Sequence, residues 1–316
     1  MLVLRPAADW LLSPFVLAAA LLLRAIRRAG VQSMPVARAI FKLVGVLPVT
    51  VHYYDPWAEA QVRRRALETP RSLPGVDFNI DEQLDLLSSL TVQDELRRFP
   101  LDGPPDTFHY RNGTFGAGDA EILYGLIRKR PPQRIVEVGG GNSTLVISAA
   151  LAANRKADAA YTCRHTCIEP YASDRLASTG AQVVRERVEQ VDAALFDQLG
   201  RNDILFIDTS HVIRPQGDVA TLFLEILPRL APGVLVHVHD IFTPRDYPSR
   251  WLDDAMLLWN EQYLLEAFLV ANRDFRVIAA LNMLYHDHRG ALDRACPILA
   301  REGGPEPGSF WMARNG

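Results

Sequence analysis

The sequence predicts an α/β protein: an open, largely parallel sheet with helices on both faces, preceded by a helical N-terminal extension. Three observations carry this. Short apolar runs alternate with helical stretches from Arg134 to the end, which is the pattern of strands joined by crossover helices. A glycine-rich turn joins the first of these runs to the first helix. The composition is that of a folded globular chain, with 48% hydrophobic and 22% charged residues over 316 positions.

The elements follow in order. Ile135–Val138 reads as the first strand, Ser143–Asn154 as a helix, Thr166–Glu169 and Gln182–Arg185 as the next strands, and Asp192–Leu199 as a helix. Ile204–Asp208 is the fourth strand, Asp218–Leu230 a helix, and Val234–His239 the fifth strand after the Pro232-Gly233 turn. Trp251–Asn272 reads as one long helix, Phe275–Leu281 as the sixth strand and Ser309–Ala313 as the last. Buried parallel strands are near-continuous apolar runs, and such sheets bind ligands beyond the carboxyl ends of their strands, where the strand order reverses. Residues at strand ends are therefore the candidates for chemistry.

Two regions precede the sheet. Residues 1–47 contain the uncharged run Trp10–Leu23, followed by Arg24, Arg27 and Arg28, and an amphipathic stretch, Val36–Val46. The run is shorter than the roughly 20 residues a spanning helix needs, and its basic flank follows the apolar core, unlike a secretory signal. Packing on the main domain or in a dimer interface, and peripheral membrane contact, are the two readings of this segment. Residues 48–110 are rich in proline and aromatics, including Tyr53, Tyr54 and Trp57, with a helix expected over Asp81–Phe99. They read as an accessory or lid layer on a catalytic domain spanning residues 111–316. With 34 Lys+Arg against 37 Asp+Glu the net charge is −3, which disfavours nucleic acid as a partner. Three cysteines cannot build a disulfide framework and fit a cytoplasmic chain; Cys163 and Cys167 read as core residues, since no second pair completes a metal set. A homo-oligomer is expected.

The turn Gly139-Gly140-Gly141-Asn142-Ser143-Thr144 lies between a strand and a helix. Glycines let a ligand approach the backbone, and the helix start offers free N–H groups. The third glycine of a dinucleotide fingerprint would fall at Thr144, and no Gly-Lys-Ser/Thr follows, which excludes a P-loop. Glu137, one residue inside the first strand's end, needs a buried partner. Glu169 ends the second strand, where a carboxylate can accept ribose hydroxyls. Asp208 and His211 at the end of strand four, with His239 and Asp240 at the end of strand five, form a cluster of carboxylates and imidazoles suited to a divalent cation.

VEVGGGNST, CIEPY, DILFIDTSH and PGVLVHVHDIF together resemble the class I S-adenosylmethionine-dependent methyltransferases, over roughly residues 107–316. The resemblance implies a Rossmann-like sheet of seven strands with the last antiparallel, and S-adenosylmethionine as cofactor. It places Gly139, Gly140 and Gly141, with Asn142 and Ser143, at the methionine end. It gives Glu137 the amino group or the turn, Glu169 the ribose, and Val188 and Glu189 the adenine. Asn112, Tyr110 and Asp119 would close the site. Strands four and five are similar to those of metal-dependent macrolide sugar O-methyltransferases, which implies that Asp208, His239 and Asp240 hold magnesium. The His239-Asp240 pair departs from the two carboxylates usual there, and manganese is more comfortable with imidazole. His211 would then be the base, against the plainer role of a loop hydrogen-bonder, and Asp208 would share the catalytic work. Tyr247 and Trp251 are candidate contacts for a small-molecule acceptor, a sugar or secondary-metabolite hydroxyl. Two rival functions remain: a nicotinamide-dependent oxidoreductase, weakened by Thr144, and a non-catalytic, membrane-proximal assembly factor of the same fold.

Overall fold

The computed structural model describes residues 6–50, 55–56 and 63–316. Tyr53, Tyr54 and Trp57 lie outside them. The chain divides into two compact units, Met1–Arg65 and Ala66–Gly316. The expected accessory region at 48–110 is thus split between them, and its second part is built into the larger unit's core through Leu86, Leu87, Leu90, Leu96 and Phe108.

In the smaller unit, α1 (Pro6–Ala29) runs for 24 residues and α2 (Pro35–Val44) for 10. Asp9 in the first turn of α1 and Arg27 and Arg28 in its last complement the helix dipole. Alanine and leucine between them favour helix, so α1 extends well past the uncharged run. The expectation that the segment is too short to span is corrected: Asp9–Ala29 forms a 21-residue helix long and apolar enough to cross a bilayer.

The larger unit starts with α3 (Ile80–Ser88) and α4 (Gln93–Leu96). These replace the single helix expected over 81–99. The Ser88 and Ser89 hydroxyls donate to the Asp85 and Leu86 carbonyls, and such back-bonding competes with helix continuation. There follow α5 (Asp119–Lys129), β1 (Arg134–Val138), α6 (Asn142–Ala157), β2 (Arg164–Ile168), β3 (Gln182–Val184), β4 (Ile204–Ile207), α7 (Asp218–Thr221, continued by wider and tighter turns to Arg229) and β5 (Leu235–Val238). The 192–199 stretch forms only the short 3-10 turn Ala193–Gln198. The chain ends with α8 (Glu261–Leu269), β6 (Phe275–Ala280), α9 (Leu281–Asp287), α10 (Arg289–Ala295), α11 (Pro297–Glu302) and β7 (Phe310–Arg314).

The sheet has seven strands in the order β3-β2-β1-β4-β5-β7-β6, parallel from β3 to β5, with β7 antiparallel to both its neighbours. The chain lays β1, β2 and β3 outward in one direction, then returns to place β4 on the other side of β1. That reversal opens a crevice beyond the carboxyl ends of β1 and β4. The strands are buried almost throughout, with Phe206, Phe310 and Trp311 among the largest enclosed side chains.

The long helix expected at 251–272 is interrupted. A wide helical turn, Arg250–Asp254, ends before α8 begins at Glu261. The His211 carbonyl accepts the N–H groups of Asn260 and Glu261 at 2.9 and 3.2 Å, and the Asn260 side chain accepts the Ile213 N–H. Tertiary bonds to the loop after β4 thus restart the helix and override its local preference.

Candidate active site

At the end of β1, Gly139 adopts φ +88°, and a Cβ there would lie 1.8 Å from the Asp208 carbonyl oxygen. Only glycine fits, because both the backbone conformation and the space exclude a side chain. Glu137 is fully buried and satisfied: it accepts from Ser143 Oγ at 2.7 Å and Thr144 Oγ1 at 3.1 Å and pairs with His165 Nε2 at 2.9 Å. Thr144 Oγ1 also accepts the Gly141 N–H. The residue in place of a third glycine therefore ties the turn to Glu137. Of its two expected roles, Glu137 fills the supporting one.

Glu169 follows β2. Its two oxygens accept the N–H groups of Gly140 and Tyr171 at 3.1 and 2.8 Å, and the remaining lone pairs face a cavity of about 380 Å³. Gly139, Tyr171, Val188, Glu189, Asp208 and Ser210 line it as well. Asn142 and Ser143 contribute no side chain to it: Asn142 is bonded to Asn112 and Thr114, and Ser143 to Glu137. Asn112 lines neither this cavity nor the larger one beyond β5. Its amide accepts from the N–H groups of Thr114 and Phe115 and donates to the His109 and Phe115 carbonyls, so it orders this loop against α6.

The second cavity, about 500 Å³, opens beyond β5. Asp240, His239, Asp119, Tyr110, Phe242, Arg250 and Trp251 are on its walls. Trp251 stands where an acceptor contact was expected. Tyr247 does not: it is completely buried, its hydroxyl accepts the Gln262 N–H at 3.0 Å, and its ring packs against Trp251 and Trp259. Its role is to support the wall, because a substrate cannot reach it.

His211 lies between the two cavities. Its Nε2 is 3.4 Å from Asp208 Oδ1 on the smaller cavity's side and 3.4 Å from Asp240 Oδ2 on the larger's. Its Nδ1 is 2.9 Å from Glu261 Oε2, and its ring packs on Trp259 with centroids 4.2 Å apart. Both His211 and Asp240 hold left-handed backbone, with φ 58° and 57°. This costs a non-glycine residue on the order of 1 kcal/mol and places the strain at the site. Among the described residues, Asp208, His211 and Asp240 are the set with ligand atoms all within 4.8 Å of one another. His239, expected in that set, instead sits 3.6 Å from Asp240 alone by its Nε2, with its ring against Phe115 and its Nδ1 unpartnered. His237 lies deeper, stacked on Phe206 and bonded to Ser309.

The charges here are strongly coupled. Burial pushes the Asp240, Glu261 and Asp119 carboxyls up. Burial also opposes ionisation of Asp208, yet the His239 and His211 imidazoles outweigh it and hold that carboxyl below its ordinary value. Burial would lower His211, but its bonds to Asp208 and Glu261 raise it to about 10. With no cation present, His211 therefore carries a proton at neutral pH, and a divalent ion would take the place of positive charge the cluster already demands.

Sequence reasoning missed Glu261 and Tyr171. Glu261 was hidden inside an apolar helical run, where a carboxylate on the buried face was the available signal. Tyr171 follows the strand-end Glu169 by two residues, and its ring is 81% exposed on the cavity rim.

A family profile described as a methyltransferase domain matches residues 136–241. The chain is 31% identical over 169 residues to an uncharacterized protein of Archaeoglobus fulgidus, covering 48% of this chain and 74% of that one. Among solved structures it is similar to an O-methyltransferase from Bacillus cereus in complex with SAH, at 13% identity and a TM-score of 0.34, covering 73% of this chain and 91% of that one.

Proposed function

We propose that this chain, which belongs to the class I S-adenosylmethionine-dependent methyltransferase superfamily, methylates a hydroxyl oxygen of a sugar or other small secondary metabolite, assisted by a divalent cation. The single observation that carries this reading is the position of His211, within 3.4 Å of a carboxylate from each cavity. A cofactor on the Glu169 side and an acceptor on the Trp251 side would meet there.

The cofactor supplies an electrophilic methyl group on a sulfonium centre. Glu169 binds the ribose hydroxyls, while the Gly139 turn admits the ligand to the backbone. The acceptor cavity is lined by Tyr110, Phe242 and Trp251 together with Asp119, Arg250 and Glu306. Aromatic faces with polar groups between them suit a hydroxylated ring. With a cation held by Asp208 and Asp240 in place of its own proton, His211 Nε2 would take up the hydroxyl proton, while Glu261 accepts from Nδ1 and fixes the ring. Asp208 and Asp240 would hold magnesium or manganese, which lowers the pKa of a neighbouring hydroxyl. The nicotinamide reading is disfavoured by Thr144, whose hydroxyl serves Glu137.

Calorimetric titration with S-adenosylmethionine and with NAD tests the reading. Saturable binding of the first, lost in Glu169→Ala, is expected; binding of NAD instead, or of neither, contradicts it. Manganese titration of His211→Ala separates base from ligand. Retained ion binding supports the base, and lost binding assigns His211 to the ion.

A further inference from the structure

We propose that α1 is a membrane anchor, inserted in a bilayer with anionic headgroups, and that α2 lies flat on that bilayer's surface. Trp10, Leu11, Leu12, Phe15, Val16, Leu17, Leu21 and Leu22 are all exposed. At 3.6 residues per turn they are distributed around the whole circumference of the helix. A helix that docks in a groove or a two-helix interface needs an apolar stripe only, whereas one apolar all round is solvated by a protein core or by lipid. No described side chain of α1 is buried, which leaves lipid.

Dimensions and charge agree. Within the 21-residue stretch Asp9–Ala29 the uncharged part, Trp10–Leu23, is about 21 Å long at 1.5 Å per residue, and it approaches the ~30 Å hydrocarbon core with Ala25, Ile26 and a snorkelling Arg24. Trp10 at one end suits the interfacial belt. At the other end, Arg24 can extend its aliphatic stem toward the headgroups, beside Arg27, which pairs with Asp55, and Arg28. The α2 helix has the complementary form. Val36, Ile40, Leu43 and Val44, all exposed, fall within an arc of about 100°, and Arg38 and Lys42 occupy the opposite side. Such a helix lies in the plane of the interface with its apolar face down. The basic cluster keeps the chain after Ala29 on the cytoplasmic side, where anionic lipid attracts it.

The test is flotation of the full chain with vesicles of phosphatidylcholine, alone and mixed with phosphatidylglycerol. Co-flotation with both is expected, resistant to high salt, and about tenfold stronger with the anionic lipid, since each basic residue near the surface contributes about 1 kcal/mol. The double variant Leu17→Asp/Leu21→Asp should leave both vesicles while still binding S-adenosylmethionine. Arg38→Glu/Lys42→Glu should lose the anionic increment alone. A full chain that stays soluble without detergent and ignores vesicles overturns the proposal. So does a vesicle-free dimer dissociated by Leu17→Asp, which would make α1 a protein interface. Purified protein beginning after Ala29 overturns it as well, by marking α1 as a cleaved signal.

Discussion

The two sides of the crevice stabilise their carboxylates by opposite means. At the ends of β1 and β2, Glu137 and Glu169 are held by hydroxyls, a histidine and backbone amides, with every oxygen engaged. At the ends of β4 and β5, Asp208, Asp240 and Glu261 crowd around His211 and His239, with Glu261 Oε1 and His239 Nδ1 unpartnered among the described residues. Buried polar groups are ordinarily satisfied. The first side is a cradle whose carboxylate oxygens are all engaged, with His165 Nδ1 left unpartnered behind Glu137. On the second side the unpartnered atoms belong to the carboxylate and imidazole cluster itself, which marks it as a candidate site.

The largest test of the first side is Gly139→Ala. With 1.8 Å to the Asp208 carbonyl and a positive φ, β1 must shift against β4. A loss of about 3 kcal/mol or more in unfolding free energy is expected, together with loss of cofactor binding. The corresponding test of the second side is Asp240→Asn. Turnover should fall about a thousandfold, while the cofactor Kd changes by less than about threefold. Equal loss of binding and turnover would break the comparison, since the two sides would then act as one.

Glu261→Gln sharpens it. The amide keeps the shape and removes the charge behind His211, so kcat should fall about ten- to a hundredfold with little change in KM. It should also move the pH profile. In the ion-free protein the His211 proton, held up to a pKa of about 10, competes with the cation. Manganese affinity should therefore rise with pH by about tenfold per unit below that value, and in Glu261→Gln this dependence should begin to level off at a lower pH. The same proton stabilises the ion-free fold fully below the unfolded-state pKa of about 6.5 and is lost as pH rises through about 10, so chelated protein should lose thermal stability between those values. The smallest effect is Tyr171→Ala, a loss of about 1 kcal/mol in cofactor binding with kcat unchanged.

The same contrast explains what could be read in advance. The cradle is made by contiguous residues, because a strand, its turn and the next helix follow one another in the chain. Gly139 and Glu169 could be placed at their strand ends from local pattern alone. The His211 cluster is assembled from Asp119, Asp208–His211, His239–Asp240 and Glu261, which only the sheet order brings together. Helical periodicity hid Glu261 because nothing local records that the His211 carbonyl restarts the helix at that position. Tyr247 misled for the converse reason: its loop faces the acceptor cavity, but its side chain turns inward to Gln262.

The central claim is that the cofactor binds against the β1 and β2 ends while Asp208 and Asp240 hold a cation beside His211, where the two cavities meet. Separate calorimetric titrations of S-adenosylmethionine and manganese into the wild-type chain and Asp240→Ala test it most directly. The account predicts cofactor binding unchanged within about threefold and manganese affinity reduced at least thirtyfold, a difference of about 2 kcal/mol. Manganese binding indifferent to Asp240, or cofactor binding lost with it, would contradict the account.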